Sequence, residues 1–236
     1  MKLFEVYPLY DVQPTRAKDV YVYDAEGTAY LDLYGGHAVI SIGHSHPHYV
    51  QSLHEQLDNI AFYSNAIQNP WQQKLADAIG EHSCLHDYQL FMCSSGAEAI
   101  ENALKMASFH TGKKRVLAFK GAFHGRTSAA VAVTDNQKII APLNAQQAVC
   151  FVPFEDHQAV EKELQKGDVC AVIFEPIQGV GGLDTPSKEF IIQLERLCQH
   201  YNTCLIADEV QSGFSRSGTF FAFQNTSIKP HIITMA

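Results

Sequence analysis

The run Thr203-Cys204-Leu205-Ile206-Ala207 stops on a carboxylate, Asp208, which is followed by Glu209, Val210, Gln211, Ser212 and Gly213. An apolar run bounded by polar residues is the pattern of a buried parallel strand. In open α/β sheets, ligands bind beyond the carboxyl ends of the strands, so an acid at that end is read as facing a bound molecule rather than as a stray core charge. Other segments place reactive or anion-binding residues in the same situation. Ser94-Ser95-Gly96-Ala97 follows the apolar Tyr88–Cys93 and opens a helical pattern. Its free N–H groups and helix dipole make an anion cradle suited to phosphate, with an ordinary serine cap as the equal alternative. Lys120-Gly121-Ala122-Phe123-His124-Gly125-Arg126-Thr127 follows Arg115–Phe119. There Phe123 offers a stacking face and Arg126 a carboxylate clamp, against the plainer reading of a Gly-rich turn with an exposed Arg. Glu175-Pro176-Ile177-Gln178-Gly179 puts a second acid after Val169–Phe174.

Taken together, these strand ends suit a small, flat, phosphorylated, cationic ring. Neither the Ser94 segment nor Gly179-Val180-Gly181-Gly182 matches a Walker loop or a dinucleotide fingerprint, which makes ATP and NAD weak candidates. A metal reading attaches to His44, His46, His48 and His54. Structural zinc sites usually combine Cys and His at set spacings, and no Cys completes this set, so a loop whose imidazoles satisfy backbone groups is preferred.

The elements that must position these residues follow from periodicity. Residues 1–18 form an arm with little pattern, expected to lie across another surface. Val20–Tyr23 and Thr28–Asp32 flank a Gly-containing turn as a hairpin. Pro47 starts a helix carrying Val50, Leu53, Leu57 and Ile60 on one face. A second helical pattern spans Trp71 to Ile79. Strands are then expected at Tyr88–Cys93, Arg115–Phe119, 149–153, Val169–Phe174 and Thr203–Ala207, with a last one at Ile232. Helices over Gly96–His110, 156–165 and 187–201 lie between them. Strands separated by helices imply a mostly parallel sheet with helices on both faces, an α/β fold. Domain boundaries are drawn at residues 1–45 for the arm and hairpin and 46–236 for the large domain.

Composition excludes several classes of function. At 236 residues, 46% hydrophobic and 18% charged, the chain can bury a large core. A formal charge of −8 with no basic stripe argues against nucleic acid as partner. The six cysteines show no Cys-x-x-Cys spacing, and Cys93, Cys170 and Cys204 sit in apolar runs, which reads as reduced core thiols in a cytoplasmic protein. No leader pattern and no run of about 18 apolar residues is seen, so secretion and membrane spanning are disfavoured.

The chain resembles the class III pyridoxal 5′-phosphate aminotransferases, and within them the acetylornithine or succinylornithine aminotransferases. The motifs that carry the likeness are Gly43-His44-Ser45-His46-Pro47, Ser95-Gly96-Ala97-Glu98-Ala99, Phe123-His124-Gly125-Arg126-Thr127, Glu175-Pro176-Ile177-Gln178-Gly179 and Ala207-Asp208-Glu209-Val210-Gln211-Ser212-Gly213, in family order. The resemblance implies the large domain of a fold type I pyridoxal-phosphate enzyme and a cofactor site of Ser95, Gly96, Ala97, Phe123, Asp208, Glu209, Val210 and Gln211. In it Asp208 would pair with the pyridine nitrogen, Phe123 and Val210 would sandwich the ring, and Gln211 would bond its phenolic oxygen. Arg126 would clamp a substrate carboxylate. The implied reaction moves the terminal amino group of an N-acylornithine to 2-oxoglutarate in arginine biosynthesis, in a cytoplasmic homodimer. Ornithine or 4-aminobutyrate as substrate, or a metal-dependent enzyme built on His44, His46 and His48, are the alternatives.

The sequence departs from the family pattern in two places. The Schiff-base lysine of the family is expected directly after Ala236, where the given sequence stops, and a small C-terminal domain is expected beyond it. Val180 stands where close relatives carry a Glu that pairs with a second substrate-binding Arg, which favours a succinyl over an acetyl substrate.

Overall fold

The computed structural model describes residues 1–4, 6–64 and 66–236, which divide into two compact units, Met1–Pro70 and Trp71–Ala236. In the first unit, β1 (Arg16–Lys18), β2 (Tyr21–Tyr23) and β3 (Ala29–Leu31) form an antiparallel three-stranded sheet in the order β1-β2-β3. The expected hairpin is β2–β3, turned at Gly27 (φ +85°) and stapled by Asp24, which accepts from the Thr28 N–H at 2.7 Å and the Tyr30 hydroxyl at 2.9 Å. Strand β1 lies within the segment read as a patternless arm. Three residues are too few to show alternation, and pairing with β2 is what makes them a strand.

A four-residue turn, α1 (Gly35–Ala38), leads to α2 (Pro47–Asn59), which starts on Pro47 as expected. The apolar stripe Val50, Leu53, Leu57, Ile60 is formed, and all four side chains are exposed within this unit. His44 is committed to Asp32, with Nε2 2.7 Å from Oδ2. Among the described residues no group of three or more His, Cys, Asp or Glu could hold a metal ion.

The second unit contains α3 (Pro70–Ser83), α4 (Gly96–Thr111), β4 (Arg115–Phe119), α5 (Ser128–Ala132), β5 (Val149–Val152), α6 (His157–Leu164), β6 (Val169–Phe174), α7 (Lys188–His200), β7 (Cys204–Asp208) and β8 (Ile232–Thr234). Its strands form one parallel sheet in the order β5-β4-β6-β7-β8. Strand alternation splits the core between two faces. Leu117, Phe119, Val172, Phe174, Leu205 and Ala207 face α6 and α7, meeting Val160, Leu164, Phe190, Leu194 and Cys198. Val116, Ala118, Ala171, Ile173, Cys204 and Ile206 face α4 and α5, meeting Ile100, Ala103, Leu104, Ala107 and Ala130. The spacing of Phe190, Ile191, Leu194, Leu197 and Cys198 is one helical stripe, and burying it is what seats α7. Helix starts are fixed by side chains: Asp156 accepts from the Ala159 N–H, and Ser187 from the Phe190 N–H. Gly112 in the left-handed region (φ +70°) ends α4.

One expected element is absent. Tyr88–Cys93 is not a strand, because an apolar run becomes one only with a neighbour in register. Among the described residues β8 pairs on one side alone, with β7, and a hydrogen bond ties the segment near it, the Tyr88 hydroxyl donating to the Pro230 carbonyl. In consequence Cys93 is exposed rather than a core thiol, whereas Cys170, Cys198 and Cys204 are buried, and all six cysteines are free. No helix among the described residues is long and apolar enough to cross a membrane.

Candidate active site

The carboxyl ends of β4, β6, β7 and β8 and the amino end of α4 meet at one edge of the second unit. At its centre is Asp208, the last residue of β7, which is 5% exposed. Its Oδ2 lies 2.6 Å from His124 Nδ1. Because a carboxylate only accepts, Nδ1 carries the hydrogen. Its Oδ1 accepts from the Val210 N–H at 3.1 Å and the Thr234 hydroxyl at 3.3 Å. An ionised carboxylate offers about four acceptor positions, so three contacts leave one for a further donor. His124 is itself held, its N–H donating to the Thr134 hydroxyl at 2.9 Å. His124 Nε2 is buried with no hydrogen-bond partner among the described residues, an open position beside Asp208.

The opening of α4 carries both readings of the sequence at once. Ser95 Oγ accepts from the Glu98 N–H at 3.2 Å as the cap of α4, and Glu98 Oε2 accepts from the Ser94 N–H, one residue ahead of the cap, at 2.6 Å. The Gly96 and Ala97 N–H groups precede the first intrahelical bond, Ala99 N–H to Ser95 carbonyl, and no described residue accepts from them. The cap and the anion cradle therefore coexist, with the cradle made by backbone. The missing side chain of Gly96 matters, since a Cβ there would lie 2.6 Å from Val210 Cγ1. Gly125, at φ +132°, similarly lets its loop approach Ala97, where a Cβ would stand 3.1 Å from that of Ala97.

Phe123 is half-buried beyond the end of β4, and Arg126 is exposed in the same loop. This loop is braced from α4: Glu101 Oε1 accepts from the Thr127 hydroxyl and the Ala129 N–H, both at 2.7 Å, and so caps α5 from a neighbouring helix. Glu175, beyond β6, is buried, and burial pushes its carboxyl up to about 7, against the opposing pull of His124 and of the Phe123 N–H.

The remaining residues singled out from sequence fall differently. Val210 packs over Gly96. The Gln211 side chain lies against Gly179, where a Cβ would stand 1.5 Å from its Oε1. Glu209 is fully buried and turned into the protein, with Oε2 accepting from the Ser212 hydroxyl at 2.6 Å and Oε1 from the Phe223 N–H at 2.8 Å. Burial pushes its carboxyl up, and these two bonds pull against the shift. Adjacent residues at a strand end face opposite ways, so the acid after Asp208 serves the fold. Val180 is exposed in the turn after β6. The sequence reading assigned no role of their own to His124, Thr134, Thr234 and Glu101. Of these only His124 had a sequence signal, as the imidazole between a strand end and a glycine.

The Aminotransferase class-III family matches residues 5–236. The acetylornithine aminotransferase of Archaeoglobus fulgidus is 39% identical over 235 residues, 99% of this chain and 62% of that protein. The acetylornithine aminotransferase of Bacillus subtilis (strain 168) is 37% identical over 235 residues, 99% of this chain and 60% of that protein. Among solved structures, the ornithine aminotransferase of Toxoplasma gondii, described with partial occupancy of PLP at its active site, superposes with a TM-score of 0.89 at 26% identity. That match covers 98% of this chain and 56% of the other. The chain thus spans about three fifths of the length of these relatives.

Proposed function

This chain belongs to the class III aminotransferases, and from that premise we propose that the protein catalyses pyridoxal 5′-phosphate-dependent transfer of the terminal amino group of an N-acylornithine to 2-oxoglutarate. The observation that carries the reading is the buried Asp208 with one acceptor position open, facing the unpaired N–H groups at the start of α4 across Val210. The residues present fit the cofactor: a backbone cradle for a phosphate, an aromatic face, and an acid for a pyridine nitrogen. When bound, that cofactor supplies an electron sink for the substrate carbon that loses a proton.

The work of the chain's own residues follows. Gly96 and Ala97 N–H groups, with Ser95, would hold the phosphate. Asp208 would keep a proton on the pyridine nitrogen, and His124 and Thr234 hold its carboxylate in place. Phe123 and Val210 would pack against the ring. Gln211 would bond its phenolic oxygen, and Glu209 pins the turn that carries Val210 and Gln211. Arg126 receives a substrate carboxylate and sets the orientation of the reacting bond. The exposed, uncharged Val180 favours a substrate with a distal carboxylate, N-succinylornithine over N-acetylornithine. We also propose residues 1–45 as an arm-and-hairpin segment ahead of the cofactor-binding domain. A cytoplasmic homodimer is proposed in addition, for which the exposed α2 stripe gives a surface to pair.

The test is a donor panel of N-succinylornithine, N-acetylornithine, ornithine and 4-aminobutyrate with 2-oxoglutarate, scored by kcat/KM. Highest values for the two acylated donors, the succinyl compound first, are expected. A preference for ornithine or 4-aminobutyrate overturns the donor class, and a clear preference for the acetyl compound overturns the role of Val180.

A further inference from the structure

Glu175 is a buried acid that the proposed chemistry does not use. It follows the last residue of β6, and its two oxygens go to different loops: Oε1 accepts from the Phe123 N–H at 2.9 Å, and Oε2 from the Gly179 N–H at 3.3 Å. The same two loops meet again one step outward, where Gln178 Nε2 donates to the Lys120 carbonyl at 3.1 Å. Between these ties the backbones touch. A Cβ on Gly181 would stand 3.0 Å from the Gly121 carbonyl oxygen, leaving no room for a side chain there. Burying a carboxylate is costly unless its partners need it, and here the need is chemical. Two N–H donors from two loops require two acceptors on one side chain. Glutamine offers only one acceptor and would turn an NH2 toward an N–H, while aspartate is a methylene shorter.

The consequence reaches the cofactor face. Phe123 is held at its N–H by Glu175, and the next residue is held at its N–H by Thr134 and at its ring by Asp208. The stacking ring is thereby fixed relative to the acid at the site centre, and the Gly179 turn, against which Gln211 lies, is fixed to the same carboxylate. The titratable groups that act on Glu175 are His124, from the β4–α5 loop, which favours its charged form, and Asp208, from β7, which opposes it.

We propose that Glu175 is a positioning residue, whose carboxylate ties the Phe123 loop to the Gly179 turn as one wall of the cofactor site. This rests on the proposed function for the identity of the cofactor, but not for the tie itself.

The test compares the native protein with E175Q and E175D at pH 8, with and without pyridoxal 5′-phosphate. Amide hydrogen exchange is read at Phe123 and Gly179. Protection should fall about tenfold or more in E175Q, because a hydrogen bond to a charged acceptor is among the stronger ones. The circular dichroism band of the bound cofactor should weaken in E175Q, with E175D intermediate. Rapid exchange at either amide in the native protein, which needs no variant to fold, overturns the proposal. So does protection in E175Q equal to that of the native protein. If the exchange behaves as expected while no pyridoxal phosphate binds, the tie stands and the cofactor assignment falls.

Discussion

Replacing Gly96 by Ala isolates the contact on which the cradle depends. A Cβ at this position would lie 2.6 Å from Val210 Cγ1, 3.0 Å from Cγ2 and 3.4 Å from Cβ. Carbon atoms pack best at about 3.5–4.0 Å, so the nearest methyl overlaps by roughly 1 Å. Rotation about the Val210 side chain gives no full escape, because both methyls face the new Cβ and turning the single Cβ hydrogen inward removes only one of the two contacts. The turn Asp208–Gln211 must move instead. Against this stands a gain, as Ala in place of Gly stabilises a helix interior by up to about 1 kcal/mol and the first helical position receives only part of it. Overpacking costs about 1–3 kcal/mol, so the clash wins and G96A should be destabilised by about 1–2 kcal/mol. Removing both Val210 methyls clears the space. V210A alone should also destabilise, by about 1 kcal/mol. The double variant G96A/V210A should be more stable than the sum of the single changes predicts, with a coupling of about 1–2 kcal/mol. Urea unfolding of the four proteins of this cycle measures it. A coupling below about 0.5 kcal/mol, or a G96A protein more stable than the parent, would refute the claim that Gly96 exists to admit Val210.

Two further perturbations probe the centre and the far end of the same sheet. In the complete enzyme D208A should lower kcat on the order of 10³-fold while weakening cofactor binding far less, since it removes a charge preorganised for the reacting state. Near-normal single-turnover rates would remove Asp208 from the chemistry. His231 replaces a backbone acceptor between β7 and β8, its Nδ1 accepting from the Leu205 N–H at 3.0 Å, and burial lowers its imidazole below the usual 6.5. The unfolded chain therefore binds the proton first. Stability from this group is complete above about pH 6.5 and is lost as pH falls through that value toward the folded one. H231N, compared by urea unfolding at pH 7.5 and 5.5, should lose less stability on acidification than the native protein, and an equal or greater loss would count against the assignment. The comparison must be a difference between variant and parent, because the raised carboxyl of Glu175 contributes with the opposite sign, stabilising as pH falls.

Most of the sheet was legible in the sequence because its signals are local. Val169–Phe174 is apolar at every position, and all six side chains are buried, as a central parallel strand requires. Phe190, Ile191, Leu194, Leu197 and Cys198 repeat at helical spacing whatever they face. The misses need information that no window contains. Tyr88–Cys93 has the composition of a strand but depends on a partner that β8 does not give it, and Arg16–Lys18 lacks the pattern yet gains a partner in β2. The site divides in the same way. The placement of Asp208 at a strand end could be read directly, because the apolar run before it announces it. That His124, 84 residues earlier in the chain, would share its Oδ2, or that Glu101 on α4 would cap α5, follows only from the crossing of loops.

The strand ends carry three buried acids, and their partners separate their roles better than their burial does. Glu209 spends its oxygens on a hydroxyl three residues on and an amide in a neighbouring turn, both within the fold. Glu175 spends its oxygens on two amides from two loops, so its charge is used to fix distances between them. Asp208 accepts from an imidazole, a hydroxyl and an amide contributed by three strand ends and still keeps an acceptor position. A carboxylate held in place by three donors from three strand ends is preorganised for a further one, and this convergence of separate elements, rather than the number of open acceptor positions, sets Asp208 apart from Glu175 and Glu209. The histidines differ in burial: His44 is paired with Asp32 and partly exposed in its loop, whereas His124 is buried, bound to Asp208 through Nδ1, and keeps a buried Nε2 with no partner among the described residues.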